Sequence, residues 1–114
     1  IIDGGMNDLI RPALYGAHHE IYPIIKNSSK LEKADIVGPI CESGDFLAKE
    51  REFPCVKQGE YIVVMCAGAY GFSMSSNYNS RRRVAEVLVD GKKFSLIRKR
   101  EELVDLIRNE IIVK

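Results

Sequence analysis

The stretch from Val84 to Arg100, VAEVLVDGKKFSLIRKR, constrains the fold more than any other part of the chain. β-Branched and apolar residues stand on both sides of Asp90-Gly91. An Asp-Gly pair between such runs signals a two-residue hairpin turn, because both central positions need positive φ. Strand-like runs recur upstream. IIDGG ends a strand at two glycines, AHHEIYPII alternates well enough for a half-buried strand, and NSSKLEKA reads as a polar connection to a second strand, DIVGPI. The charged, proline-containing KEREFPCVKQGE reads as a loop. It leads into YIVVMCAGAY, a near-continuous apolar run whose β-branched residues favour a buried strand ending at Gly71.

Helical signals are fewer. In NDLIRPALYG, Asn7 or Asp8 can cap a short helix that Pro12 limits to about one turn. From Glu101 onward, Leu103, Leu106, Ile107 and Ile111 follow helical spacing, with acids in the first turn and Lys114 at the end, as the helix dipole prefers. The expectation is a mainly β domain with short helices and a terminal amphipathic helix packed on the sheet. Nothing repeats internally.

Composition sets the frame for function. A chain of 114 residues is enough for one domain, and folding buries roughly 65% of the surface the unfolded chain exposes. With 46% hydrophobic and 29% charged residues, and 17 basic against 16 acidic side chains, it reads as globular and too nearly neutral to imply a polyanionic partner. The basic clusters Arg81-Arg82-Arg83, Lys92-Lys93 and Arg98-Lys99-Arg100 bracket the hairpin. Glu86, Asp90, Glu101 and Glu102 are interspersed and no aromatic stacking series accompanies them, so they read as a solvated face rather than a nucleic-acid site. No run approaches the roughly 20 apolar residues of a membrane span and no signal peptide is evident, so the expected location is cytoplasmic. The opening IIDGGMND lacks an initiator methionine and begins inside strand-like sequence, which suggests a piece of a longer chain.

The cysteines narrow the chemistry further. Cys41, Cys55 and Cys66 are odd in number, and their separations of 14 and 11 residues match neither a redox pair nor zinc knuckles. His18 and His19 are adjacent, so they face opposite ways on a strand and about 100° apart on a helix, which disfavours a shared metal. Residues Gly68 to Gly71, GAYG, have the glycines to approach a phosphate but lack the lysine and spacing of a P-loop. Residue chemistry alone leaves three readings open: an enzyme site component using Cys41, a cysteine hydrolase pairing Cys41 with His18 or His19, and a non-catalytic β-rich binding module.

Four motifs taken in order go beyond that. DGGMNDLIRPALYGAHHEI, VGPICESGDFLAKERE, CAGAYGFSMSSNYNSR and AEVLVDG resemble the C-terminal domain of the diaminopimelate decarboxylases, pyridoxal-phosphate enzymes of lysine biosynthesis, over essentially the whole chain. The resemblance implies that residues 1–114 form a single C-terminal β domain, a Greek-key, barrel-like sheet. It also implies an N-terminal (β/α)8 barrel outside this chain, carrying the Schiff-base lysine and the phosphate site, and a homodimer with shared active sites. The implied reaction removes CO2 from meso-2,6-diaminopimelate to give L-lysine. By resemblance, Cys41 donates a proton across the dimer interface and Arg11, Tyr15 and Glu42 read the distal end of the substrate. Tyr70 likewise reaches both the cofactor phosphate and the substrate. Without the family, Cys41 would pass for a small core residue, and the others for a surface arginine, core-edge tyrosines and a solvated carboxylate.

The chemistry is coherent with those roles. Arginine grips a carboxylate with a two-pronged, charge-assisted pair, a tyrosine hydroxyl adds a bond, and a glutamate accepts from an ammonium. The i,i+4 spacing of Arg11 and Tyr15 sets both on one helix face. Decarboxylases of ornithine or arginine are the alternative, but their substrates lack a distal carboxylate for Arg11 to hold. Ser43 and Asp45 are candidates only for orienting their neighbours, and SSNYNS, Ser75 to Ser80, for a loop-fixing network. Arg82 stands where the family commonly has proline.

Overall fold

The computed structural model describes residues 1–25 and 30–113, which fall into two compact units, Ile1–Ser75 and Ser76–Lys114. Among the described residues the chain is mainly strand with a few short helices. The strands form three antiparallel pairs and do not close into a barrel.

The first unit contains helix α1 (Arg11–Tyr15), strands β1 (Ile21–Pro23), β2 (Leu31–Val37), β3 (Phe46–Pro54) and β4 (Ile62–Val64), and helix α2 (Gly71–Met74). Strand β1 pairs with β4 and β2 with β3. Leu9, Ile21, Ile36, Leu47, Ala48 and Phe53 are each no more than 6% exposed and form the core, with Ile2, Ala34, Ile62, Val64 and Ala67 packed against it. Fully burying one large side chain of this kind contributes about 1.5–3 kcal/mol. The core therefore draws on both ladders and on the segment before α1.

Several expectations shift by a few residues, each for a local reason. Ile1–Gly5 forms no strand, although the Ile2 amide donates to the Val37 carbonyl at 2.9 Å. Leu31–Ala34 begins strand β2 instead of ending a polar connection, while residues 27–29 of that connection lie outside the described residues. The segment KEREFP, expected in a loop, belongs to β3: Lys49, Glu50 and Glu52 are exposed while Ala48 and Phe53 are buried, so the charges decorate a solvated face. Glu50, at φ 47°, marks a bulge, and its amide donates to Asp35 Oδ1 at 2.7 Å. Conversely, only Ile62–Val64 of YIVVMCAGAY is strand. Tyr61 and Met65 are exposed, and Cys66, at φ 55°, turns the chain away directly afterwards.

The second unit holds a 3₁₀ turn (Tyr78–Ser80), the hairpin β5 (Glu86–Asp90) and β6 (Lys93–Arg98), and helix α3 (Leu103–Ile107). The hairpin is present, but Asp90 pairs with Lys93, so the turn centres on Gly91-Lys92 and only Gly91 (φ 58°) has positive φ. Helix α3 is shorter than the apolar spacing suggests and buries none of its side chains. Its start is fixed by a capping box, in which the Glu102 carboxylate accepts from the Asp105 backbone amide and the Glu102 amide donates to Asp105 Oδ2 at 2.7 Å. Lys114, expected near its end, lies outside the described residues.

Candidate functional site

Helix α1 presents the first candidates. Pro12 sits in its first turn, where no amide donor is needed, so proline starts this helix and does not end it. Gly16 ends it, adopting φ 63° and returning its amide to the Arg11 and Pro12 carbonyls. Asp8 does not cap α1. Its carboxylate accepts from the Gly5 amide at 3.0 Å and closes a separate turn, and the helix N-cap is Ile10 without a side-chain cap. Five residues of helix suffice to carry Arg11 and Tyr15 one turn apart, Arg11 half-buried and Tyr15 exposed.

Tyr70 comes to the same place from the other end of the unit. The Arg11 guanidinium carbon lies 5.7 Å from the centroid of the Tyr70 ring, within range of a cation–π contact. In GAYG the unusual backbone belongs to the tyrosine itself: Tyr70 adopts φ 64°, whereas Gly68 and Gly71 have no positive φ. A non-glycine residue held there costs on the order of 1–3 kcal/mol. Its carbonyl accepts the Met74 amide at 3.1 Å, so Tyr70 is fixed at the mouth of α2 with its side chain exposed.

Cys41 and Glu42 lie on the loop between β2 and β3. The Glu42 amide donates to the Ile40 carbonyl at 2.8 Å and the Asp45 amide to the Glu42 carbonyl at 3.0 Å, while Glu42 Oε1 accepts the Gly44 amide at 3.1 Å. Cys41 is exposed, which removes the core-filler reading, and all three cysteines are free. Thus Arg11 and Tyr70 meet, with Tyr15 one turn along the Arg11 helix, and Cys41 with Glu42 lie on a separate loop.

The histidines are engaged elsewhere. His19 is buried with Nδ1 3.0 Å from the Met65 carbonyl. His18 is exposed, with Nε2 3.0 Å from Glu20 Oε1 and Nδ1 3.0 Å from the Arg51 guanidinium, which also donates to the His19 carbonyl. The bond to His18, then that from Tyr22, holds the Glu20 carboxyl below its usual range, and Glu20 in turn pushes the Tyr22 phenol up. Among the described residues no cluster of three His, Cys, Asp or Glu is arranged for a metal, and no helix is long and apolar enough to cross a membrane.

The residue that sequence reading undervalued is Asp45. It is 4% exposed, with Oδ1 accepting the Met6 amide at 2.7 Å and Oδ2 the Ile40 amide at 2.6 Å. The signal was present in two glycines. A Cβ on Gly38 would fall 2.4 Å from Asp45 Oδ2, and one on Gly5 2.9 Å from Oδ1. Neither relation is visible until the fold brings those backbones to the carboxylate.

Comparison with known proteins defines the class. The family model described as pyridoxal-dependent decarboxylase, C-terminal sheet domain, matches residues 1–68, and the chain belongs to this family. Its curated relatives carry a more particular name: it is 60% identical over 101 residues to the diaminopimelate decarboxylase of Aquifex aeolicus and 51% identical over 111 residues to that of Neisseria meningitidis serogroup B. These alignments cover 89% and 97% of this chain but 24% and 27% of the relatives, so the chain spans about a quarter of their length. Solved structures agree. Diaminopimelate decarboxylase from M. jannaschii superposes with a TM-score of 0.92 at 42% identity, covering 98% of this chain and 26% of that one. The Helicobacter pylori enzyme complexed with L-lysine gives 0.87 at 45% identity, covering 95% and 27%.

Proposed function

We propose that this chain is the C-terminal part of a cytoplasmic, homodimeric diaminopimelate decarboxylase, and that residues 1–114 act as its single C-terminal β domain beside an N-terminal (β/α)8 barrel. The observation that carries the reading is the Arg11 guanidinium against the exposed Tyr70 ring, with Tyr15 one turn along the same helix. A guanidinium and two phenol hydroxyls are the donors that carboxylate and phosphate oxygens require, so the residues present suit both a dicarboxylic amino acid and a phosphorylated cofactor.

Pyridoxal phosphate, when bound, supplies the electron sink that lets the α-carboxylate depart as CO2. The rest falls to this chain. Arg11 holds the distal carboxylate with two parallel hydrogen bonds, Tyr15 adds a third, and Glu42 accepts from the distal ammonium. The far end of meso-2,6-diaminopimelate is thereby fixed while the near end reacts. Tyr70 would hold the cofactor phosphate through its hydroxyl and border the substrate. As the bond to the carboxylate breaks, CO2 departs without the bonding pair and the α-carbon needs a proton in its place. Acting across the dimer interface, the Cys41 thiol gives that carbon its proton, leaving L-lysine and a thiolate that water reprotonates. The chain holds neither a Schiff-base lysine nor a phosphate loop by this reading, so it has no activity alone.

Substrate choice tests the proposal. Offered meso-diaminopimelate, ornithine and arginine, the full-length protein is expected to release CO2 from the first and give L-lysine. Selective turnover of ornithine or arginine would overturn it, because neither substrate supplies a distal carboxylate.

A further inference from the structure

The geometry points to Asp45 as the positioning residue for Cys41, the group that fixes the Cys41–Glu42 loop against the Met6 segment of its own subunit so that the thiol is presented in a set place; this rests on the decarboxylase reading above. Its two carboxylate oxygens are divided between two backbone segments. Oδ1 takes the Met6 amide, five residues before Arg11, and Oδ2 takes the Ile40 amide, immediately before Cys41. At 2.7 and 2.6 Å both are short enough to be charge-assisted bonds, the stronger kind. The backbone of the same residue closes the loop, its amide donating to the Glu42 carbonyl at 3.0 Å and its carbonyl accepting from Gly38 at 3.1 Å.

The burial pattern argues that fixed geometry is what this arrangement provides. Cys41, Glu42 and Ser43 are exposed, yet the loop is anchored on either side by Ile40 at 8% and Asp45 at 4% exposure. Taking a carboxylate out of water costs several kcal/mol unless donors meet it, so an apolar side chain would have filled the space with less penalty. Gly5 and Gly38 leave room for the carboxylate and for no side chain of their own. Asp45 therefore fixes the loop that carries Cys41 on the core of its own subunit, from which the thiol reaches the shared site, without touching the substrate itself.

Four forms of the full-length holoenzyme test this: wild type, Cys41→Ala, Asp45→Asn and the double variant. Asparagine keeps the shape but turns an NH2 toward one of the two amide donors, so that the tie between the loop at Ile40 and the Met6 segment is broken at one end. A displacement of the order of 1 Å lowers turnover by up to about 10²-fold. The expected result is a large fall in kcat with a much smaller change in KM, and little further loss when Asp45→Asn is added to Cys41→Ala, as coupled residues behave. An Asp45→Asn enzyme of normal kcat, or one whose loss is equally large in the Cys41→Ala background, overturns the proposal. A silent Cys41→Ala instead strikes the proton-donor reading on which it rests, so the two failures are distinguishable. Gly38→Ala is the second route, since it leaves the carboxylate intact but forces it aside. The same non-additivity with Cys41→Ala is expected, and a variant that retains the wild-type kcat, or loses cofactor binding and secondary structure together, assigns Asp45 a purely architectural role.

Discussion

The two compact units treat similar residues in opposite ways. Phe53, in the first, is 5% exposed at the centre of a core; Phe94, in the second, is 80% exposed on a hairpin. Along that hairpin Val87 pairs with Leu96 and Val89 with Phe94, so four apolar side chains share one face, and all four are exposed. The residues proposed for the site, Arg11, Tyr15, Cys41, Glu42 and Tyr70, all belong to the unit with the core. Placement of reactive groups needs a rigid support, and a two-stranded ribbon alone is marginal in water. The difference teaches that the first unit is built to hold geometry, while the second is held mainly by polar bonds at its edges.

The sharpest way to break that contrast is a matched pair of truncations followed by denaturant unfolding. In the 114-residue chain Phe53→Ala is expected to cost about 3–5 kcal/mol, the range for emptying a core aromatic site. Phe94→Ala, at an exposed position, is expected to stay within about 0.5 kcal/mol. Equal costs would show that the hairpin face is packed and that the contrast is false. Repeating Phe94→Ala in the two-domain enzyme proposed above sharpens the comparison: a cost there that is absent here would mean that the proposed barrel domain or dimer partner covers the hairpin.

A second matched pair concerns arginines. Arg11→Lys keeps the charge but loses the planar fork. In the full-length enzyme the loss of a charge-assisted bond, about 1.5–3 kcal/mol, should raise KM for diaminopimelate roughly 10- to 100-fold. Arg98 pairs with Glu86 at 2.5 Å on the exposed hairpin, where such pairs contribute only about 0–1 kcal/mol. Arg98→Lys should therefore leave both KM and stability near wild type. Steady-state kinetics on the two variants decide the matter, and an unchanged KM for Arg11→Lys would remove it from the substrate site.

How much of this was legible beforehand depended on whether a residue's role is local or long-range. The hairpin was readable because its turn and its flanking strands are contiguous, although the turn centre moved by one position to Gly91-Lys92. Strand β3 was missed because KEREFP carries charges and a proline, while Phe53 is separated from the other buried residues of the strand, Leu47 and Ala48, by the bulge at Glu50. The opposite error occurred at YIVVMCAGAY, where apolar composition suggested continuous burial but Cys66 and Tyr70 both adopt positive φ and interrupt the run. Arg11 and Tyr15 share a helix as their spacing requires, but the approach of Tyr70 spans 59 positions and has no local signature. Asp45 was the hardest of all. Its partners, Met6 and Ile40, contribute backbone amides, which every residue but proline possesses, so no residue type marks them.

The smallest expected effect tests the claim that polar bonds hold the second unit. Glu101 Oε2 accepts the Arg83 amide at 2.7 Å and the Asn77 side-chain amide at 2.6 Å, and Oε1 meets the Arg83 guanidinium at 3.3 Å. These bonds, the Arg83 amide foremost, hold the Glu101 carboxyl below its usual range against the upward pull of burial. The lowered value fixes the sign. In the unfolded chain this carboxyl binds its proton at a higher pH than in the folded one, so its contribution is fully present above the unfolded value. It is lost as pH falls through the folded value. The Arg83 backbone amide resonance should accordingly shift in that acid window, and Glu101→Gln should abolish the shift while trimming stability at neutral pH. In the first unit Glu20 also titrates low, but its partners are the exposed side chains of His18 and Tyr22, so Glu20→Gln should leave the folded backbone in place. If acid loosens both units to the same extent and Glu101→Gln changes neither, the second unit is held by something other than this carboxylate.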